Sequence, residues 1–221
     1  MKKIEDCRLY TFIDGAYLNG REPGDIARAL IKGGSDIIQL RMKNASPEEV
    51  LKAAQSVVKI TQAASIPLVI NDHPQVAAAV GAQYVHLGQE DFFEGGYRDV
   101  REVSEALKPT FKDVSFRVGL SSHAPEQALN AEAAGAAYLG VGPVYATGTK
   151  PQARPVTLEY VRWAAAHLHL PWFAIGGVKL WNLPELMEAG ARRICVVSDI
   201  LQADDIAAQC RKYRSQLDQS R

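Results

Sequence analysis

The sequence predicts one α/β domain over residues 1–221, folded as a single (β/α)8 barrel of the TIM type. Short apolar runs alternate eight times with segments of helical periodicity, and this alternation indicates parallel strands joined by helical crossovers. The runs are apolar throughout, as expected for strands that are buried on both faces. Eight such units fit a chain of 221 residues as a closed barrel, and a doubly wound open sheet is the competing arrangement.

The strand candidates are rich in aliphatic and aromatic residues and occupy 9–13, 37–41, 67–70, 84–87, 115–120, 137–141, 172–175 and 194–197. Segments with apolar residues at helical spacing follow them at 25–34, 46–64, 74–82, 97–108, 124–136, 157–168, 183–191 and 203–217. The pair Ser46-Pro47 is typical of a helix start, whereas Gly81, Gly135 and Gly190 are typical of helix ends.

The charged residues balance, with 25 Lys and Arg against 25 Asp and Glu, so no net charge attracts nucleic acid or an anionic membrane. We therefore expect neither as a partner, and any anion site must come from a local cluster. The three cysteines include no CxxC pair, which argues against a disulfide framework and a zinc site. Acidic residues interrupt the basic start and no apolar run could span a bilayer, so the sequence predicts a cytoplasmic protein without a signal peptide.

Polar side chains alternate at the end of the second predicted strand. Gln39, Arg41 and Lys43 are two residues apart, so their side chains share one side of an extended segment. A polar set on a strand that is buried on both faces is costly unless it meets an anion. We therefore favour an anion site here over a solvated surface triad.

Acidic side chains follow the next two strands. Asn71 and Asp72 come after the third strand, and Glu90 and Asp91 come after the fourth. Carboxylates from adjacent strand ends can converge on one hard cation, and Mg2+ prefers a few carboxylates, waters and phosphate oxygens. Alternatively, Asp72 caps the following helix and Asp91 lies solvated in a loop. For His86, with no second histidine at ligand spacing, we expect a hydrogen-bonded structural role.

The segment "GLSSH" follows the fifth predicted strand, and Ser121, Ser122 and His123 invite comparison with a nucleophilic triad. A strained GxSxG elbow and a clear third member are both missing. We therefore expect a hydroxyl here to donate to an anion.

The segment "GPVYATGTK" follows the sixth strand and resembles a phosphate-binding loop in its residue types. It is not a Walker A motif, because five residues separate Gly142 from Gly148 and the lysine follows the threonine. Thr147, Thr149 and Lys150 nevertheless suit a phosphate group. The alternative is a flexible surface loop.

Glycines and a serine follow the last two strands, which is the usual phosphate position of such barrels. Gly176 and Gly177 would let the backbone approach a phosphate, and Ser198 adds a hydroxyl; the alternative for the glycines is a tight turn alone. The sequence thus predicts two anion sites in one barrel mouth, suited to two phosphorylated substrates or one bisphosphate.

Seven motifs taken in order resemble the thiamine phosphate synthase family: "IQLRMK", "INDH", "VHLGQED", "GLSSH", "GVGPVYATGTK", "AIGGV" and "VVSDI". The resemblance implies a (β/α)8 barrel that joins 4-amino-5-hydroxymethyl-2-methylpyrimidine diphosphate to 4-methyl-5-(2-phosphoethyl)thiazole and releases diphosphate. Departure of the diphosphate leaves a pyrimidinylmethyl cation that the thiazole nitrogen attacks, so no enzymic nucleophile is needed. The partners are then two small phosphorylated substrates, and a homo-oligomer stays open.

The resemblance also implies residue roles. On the diphosphate side it assigns contacts to Gln39, Arg41, Lys43, Asn71 and Lys150. Asp72 and Asp91 would hold Mg2+, and Ser121 would lie beside the pyrimidine or the leaving group. On the thiazole phosphate side it assigns Thr147, Thr149, Gly177, Val197 and Ser198. The expected catalytic residues are Arg41, Ser121 and Lys150.

The chain departs from the family pattern at three places. Region 92–116 is longer, a glycine common in the family is missing near 157–158, and His73 stands where arginine is frequent. Two other functions stay open. One is a thiazole tautomerase-like isomerase with His123 as acid and base, and the other is a non-catalytic binding module of the thiamine pathway.

Overall fold

Eight parallel strands form a closed barrel in sequence order. The computed structural model of the protein describes residues 1–148 and 154–219. Strand β1 pairs with both β2 and β8, which closes the sheet and excludes the doubly wound alternative. The strands are β1 Leu9–Asp14, β2 Ile37–Arg41, β3 Leu68–Asn71, β4 Tyr84–Leu87, β5 Arg117–Ser122, β6 Tyr138–Val141, β7 Trp172–Ala174 and β8 Ile194–Val196.

Helices connect the strands, as the periodicity predicts. They are α1 Pro23–Lys32, α2 Pro47–Ala63, α3 Pro74–Val80, α4 Val100–Glu105, α5 Pro125–Ala133, α6 Thr157–His167, α7 Leu183–Glu188, α8 Ser198–Leu201 and α9 Ile206–Gln219. The predicted start of α2 is confirmed, because Ser46 and Glu49 form a reciprocal capping box there. No helix within the described ranges combines the length and the apolar character needed to cross a membrane.

Helix α8 was not predicted, and the bounds of several elements, β5 and α4 among them, differ from the prediction. The fifth strand was expected at 115–120, but β5 runs two residues further, because Ser121 and Ser122 pair with Gly140 and Val141 of β6. Both serines therefore lie in the strand rather than after it. The helix expected at 97–108 is shorter, because Asp99 caps α4 and the chain leaves the helix after Glu105.

The barrel strands are mostly apolar and buried, with a polar layer at one end. Residues such as Ile38, Val69, Val85 and Leu139 are fully buried in the strands. The polar layer lies at the carboxyl ends of the strands, where (β/α)8 barrels place their active sites.

Candidate active site

A cavity of about 290 Å³ opens at the carboxyl ends of the barrel strands. Every predicted site residue within the described ranges lines it: Gln39, Arg41, Lys43, Asn71, Asp72, Asp91, Ser121, Thr147, Gly177, Val197 and Ser198. Thr149 and Lys150 belong to the predicted set but lie outside the described residues. The cavity therefore unites predicted site residues that are up to 159 positions apart in the sequence, from Gln39 to Ser198.

The end of β2 presents a guanidinium group to the cavity. Arg41 Nη1 lies 2.7 Å from Asp14 Oδ2, and the two residues are register partners on β1 and β2. The Asp14 side chain is only 2% exposed and that of Arg41 is 14% exposed. Asp14 thus fixes the position of the arginine. Sequence reasoning missed this residue, although its place at the end of "LYTFID" was a signal.

Lys43 and Asp72 form a second ion pair at the rim, with 2.9 Å between Nζ and Oδ2. The backbone N–H of Asp72 donates to the carbonyl of His86 at 3.0 Å, which ties the end of β3 to β4. The φ angle of Asp72 is +61°, a conformation that costs free energy for a residue with a Cβ and that recurs at functional sites. His73 is the N-cap of α3, so Asp72 does not have the capping role considered as an alternative.

Asp91 reaches the cavity from a short π-helical turn, Glu90–Glu94, that follows β4. A Cβ atom on Gly88 would lie 2.8 Å from Asp91 Oδ2, so the carboxylate packs directly over a position that carries no side chain. Glu90 lines the same wall. Within residues 1–148 and 154–219, no group of three or more His, Cys, Asp and Glu side chains is placed to hold a metal ion by itself.

The opposite wall of the cavity is built from loops that approach each other closely. Gly176 and Gly177 follow β7 with φ angles of +97° and +64°. A Cβ on Gly177 would lie 2.6 Å from the carbonyl oxygen of Ala146, and the N–H of Tyr145 donates to the Gly176 carbonyl at 3.1 Å. Glycine is required here to let the two loops meet, which is a stronger constraint than a tight turn alone.

Ser198 lies on the same wall and is the first residue of α8. Behind it, Asp199 accepts hydrogen bonds from Lys179 Nζ at 2.9 Å and from Tyr213 Oη at 2.6 Å. These contacts join the loop after β7 to α9. Burial alone would raise the pKa of Asp199, but these donors together with Gln209 lower it below its ordinary value.

His86 and Ser121 meet on the floor of the cavity. His86 Nε2 lies 3.0 Å from Ser121 Oγ, and His86 Nδ1 lies 3.1 Å from the hydroxyl of Tyr138. His86 is thus hydrogen-bonded, as the sequence predicts. His123 also lines the cavity, and its Nδ1 contacts the carbonyl oxygen of Gly142.

The glycine expected near 157–158 is replaced by a strained threonine. Thr157 has a φ angle of +66°, which glycine adopts freely and a β-branched residue does not. The chain therefore keeps the backbone conformation that a glycine would favour, at a cost in free energy. The longer region 92–116 contains part of the π-helical turn and all of α4.

These features define a class of protein: a (β/α)8-barrel with a charged wall of cations and carboxylates and a glycine-lined wall around one cavity, as phosphate-binding barrel enzymes have. The thiamine monophosphate synthase family model matches residues 9–200. The chain belongs to this family, and it is accordingly an enzyme of the transferase class.

Individual relatives agree with the family match. The chain is 38% identical over 217 residues to the thiamine-phosphate synthase of Halalkalibacterium halodurans, with 98% of each chain covered. It is 40% identical over 202 residues to the thiamine-phosphate synthase of Shouchella clausii, with 91% of each covered. Its structure is similar to that of thiamine phosphate pyrophosphorylase from Pyrococcus furiosus, with a TM-score of 0.83, 27% identity and 98% of each chain covered.

Proposed function

We propose that this chain joins 4-amino-5-hydroxymethyl-2-methylpyrimidine diphosphate to 4-methyl-5-(2-phosphoethyl)thiazole by a dissociative, Mg2+-assisted reaction that yields thiamine phosphate and diphosphate. The observation that carries this proposal is that one cavity has two walls of different chemistry, each with groups suited to an anion. One wall comes from β2 to β4 and is charged, whereas the other comes from the loops after β6 to β8 and is rich in backbone groups.

The charged wall stabilises the leaving group. The bond between the methylene carbon and the diphosphate oxygen breaks, and its electron pair departs with the diphosphate. Arg41 and Lys43 face the negative charge that develops on the diphosphate. Lys150, from outside the described residues, is assigned to the same diphosphate on the family resemblance.

The glycine-lined wall holds the second substrate by its phosphate. Gly177 and Val197 offer backbone groups, and Thr147 and Ser198 offer hydroxyls. Thr149 is assigned here on the family resemblance. With the phosphate held on this side, the thiazole nitrogen can donate its lone pair to the methylene carbon and form the new C–N bond. Holding the two rings in position then replaces covalent catalysis by the protein.

The carboxylates of the charged wall fit a magnesium ion. Asp72 and Asp91 line the same cavity, and the space above Gly88 that holds the Asp91 carboxylate would be filled by a Cβ. A pair of carboxylates without a full protein cage is the donor set that Mg2+ takes when phosphate oxygens and waters complete its shell. When bound, the ion supplies neutralisation of the diphosphate charge.

The direct test supplies both substrates with Mg2+ and measures diphosphate release and thiamine phosphate formation. Release no faster than the background reaction would remove the synthase function. Isomerisation of a thiazole without diphosphate release would favour the tautomerase alternative, with His123 as its acid and base. Calorimetric binding of thiamine phosphate without turnover would favour the binding module.

The two-wall division predicts separate effects for two variants. Lys43→Ala is expected to weaken binding of inorganic diphosphate about 10-fold, and Ser198→Ala to weaken binding of the thiazole phosphate by about 5-fold, because each removes one donor to a charged ligand. Isothermal titration of both ligands against both variants measures this. Lys59→Ala, an exposed lysine of α2, is the charge-matched control. Equal losses for both ligands in both variants would contradict the division.

The magnesium assignment predicts a shift in metal dependence. Asp91→Asn is expected to raise the Mg2+ concentration for half-maximal activity by about 10-fold or more, because it removes one anionic ligand. Calorimetric titration of Mg2+ in the presence of diphosphate gives the same comparison without turnover. Glu94→Gln is the matched control, because Glu94 lies in the same π-helical turn but does not line the cavity. An unchanged Mg2+ dependence in Asp91→Asn would contradict the assignment.

A further inference from the structure

A continuous chain of hydrogen bonds crosses the interior of the barrel along the wall of the cavity. It begins at Gln39, whose Nε2 donates to the hydroxyl of Tyr10 at 2.7 Å. The hydroxyls of Tyr10 and Tyr138 are 2.9 Å apart. Tyr138 contacts His86 Nδ1 at 3.1 Å, and His86 Nε2 contacts Ser121 Oγ at 3.0 Å. Five side chains from β1, β2, β4, β5 and β6 are thus linked in one path, and all five line the cavity.

The members of this chain are held firmly in place. Gly119 stands opposite Tyr138 on β5, and a Cβ there would lie 2.2 Å from the tyrosine ring, so the ring fills the space of a missing side chain. The rings of His86 and Tyr138 stack with centroids 5.7 Å apart. Gln89 Nε2 donates to the backbone carbonyl of Ser121 at 2.7 Å, which fixes the serine from the other side.

The donors and acceptors of this hydrogen-bond chain follow one order, which the amide of Gln39 sets. An amide nitrogen can only donate, so the Tyr10 oxygen accepts from Gln39, and the single hydroxyl proton of Tyr10 points to Tyr138. Tyr138 then donates to His86 Nδ1. Burial raises the pKa of both tyrosines well above the ordinary value, so both keep the protons that this path requires.

The order of donors and acceptors determines the tautomer of His86 and the hydrogen-bonding role of Ser121. Because His86 Nδ1 accepts, its proton is on Nε2, and Nε2 donates to Ser121 Oγ. The serine oxygen then accepts from His86, which leaves its own O–H able to donate to a ligand in the cavity that Ser121 lines. We propose that His86, held by Tyr138, is a positioning residue that makes Ser121 a hydrogen-bond donor to the pyrimidine diphosphate, without transfer of the serine proton. This step rests on the proposed function, but the direction of the chain does not.

The first experiment reads the direction of the chain without turnover. The method is nitrogen-15 NMR of the histidines in the full-length protein, at about pH 8 where an ordinary imidazole is neutral. We expect it to show His86 with its proton on Nε2. Tyr138→Phe removes the donor to Nδ1 and is expected to shift His86 towards the other tautomer. A proton on Nδ1 in the unmodified protein would reverse the chain and overturn the proposal.

The second experiment is a double-mutant cycle in the diphosphate-release assay. We expect Ser121→Ala to lower kcat about 100-fold and Tyr138→Phe about 10-fold, as for a lost donor and a lost supporting hydrogen bond. If Tyr138 acts through Ser121, then Tyr138→Phe has little further effect in the Ser121→Ala protein. Independent, multiplicative losses would overturn the proposal while leaving the synthase function intact.

The control variant removes a neighbouring hydroxyl. Tyr84→Phe deletes a hydroxyl that contacts Arg117 rather than the chain, although its ring packs against Tyr138 with centroids 5.9 Å apart. Its kcat and the His86 tautomer are expected to stay unchanged, and a loss equal to that of Tyr138→Phe would overturn the proposal. Tyr10→Phe, which interrupts the chain one step earlier, provides the cycle if Tyr138→Phe fails to fold.

Discussion

Replacing Arg41 with glutamine is expected to lower kcat/KM by about 1,000-fold, which is the upper range for the loss of one preorganised charge-stabilising group. The guanidinium lines the cavity and is held on its other side by Asp14 at 2.7 Å. The arginine therefore needs little reorganisation when charge develops on the leaving diphosphate. Steady-state kinetics with both substrates measures the effect.

The same variant is also expected to destabilise the fold, because it leaves the Asp14 carboxylate, 2% exposed, without its cation. Loss of one partner of a buried ion pair costs about 3 kcal/mol of the free energy of unfolding. A second substitution separates the two effects. Asp14→Asn with Arg41→Gln removes both charges, and an asparagine oxygen can still accept the hydrogen bond that Ala16 N–H donates to Asp14 Oδ1 at 3.0 Å.

The double variant is expected to regain most of the lost stability and none of the lost activity. Denaturant unfolding and kinetics on the same preparations give both numbers. If kcat/KM returned together with the stability, Arg41 would be a structural residue and its role towards the diphosphate would be wrong.

The fold was predictable because its signals are local. Each strand is a short apolar run and each helix has its own periodicity, so the order of elements follows from segments such as 37–41 and 46–64 without knowledge of distant contacts. The end of β5, in contrast, has no local signal in the sequence. Ser121 and Ser122 do not look like strand residues, and only their pairing with Gly140 and Val141 of β6 extends the strand over them.

The residues of the site also differ in whether the local sequence indicates them. Arg41 and Asp72 were predictable because each follows or ends an apolar run, where a barrel collects its active residues. Asp14 and the tyrosine chain were not, because Tyr10 and Tyr138 are 128 positions apart and read as ordinary apolar strand residues. The reason for a glycine at 119 was equally hidden, since the ring that occupies its side-chain space belongs to another strand.

The far end of the barrel depends on one carboxylate. Asp36, 6% exposed, lies just before β2 and accepts from the N–H groups of Arg8 at 2.7 Å and Leu9 at 2.9 Å. It also contacts Lys2 Nζ and Arg214 Nη1. This residue therefore joins the amino-terminal segment, the start of β1 and helix α9 at the end opposite to the cavity.

Asp36→Ala is accordingly expected to lower the free energy of unfolding by about 3 kcal/mol, because buried donors and cations lose their common acceptor. For a chain of this length the midpoint of thermal unfolding should fall by roughly 9 °C. Chemical denaturation and calorimetry measure both quantities. Where the variant is folded, its kcat/KM should match that of the unmodified protein, since Asp36 does not line the cavity.

Glu105→Ala is the control for a carboxylate in an exposed ion pair. The side chains of Lys108 and Glu105 are 60% and 59% exposed. The free energy of unfolding should therefore fall by no more than about 1 kcal/mol. Equal losses in the free energy of unfolding for the two variants would mean that the buried position of Asp36 adds nothing to its contribution to stability. A fall in kcat/KM for folded Asp36→Ala would mean that the two ends of the barrel are coupled. The two sets of variants are thus expected to separate activity from stability. The Arg41/Asp14 double variant should lose activity but regain stability, whereas the Asp36 variant should lose stability but keep its activity.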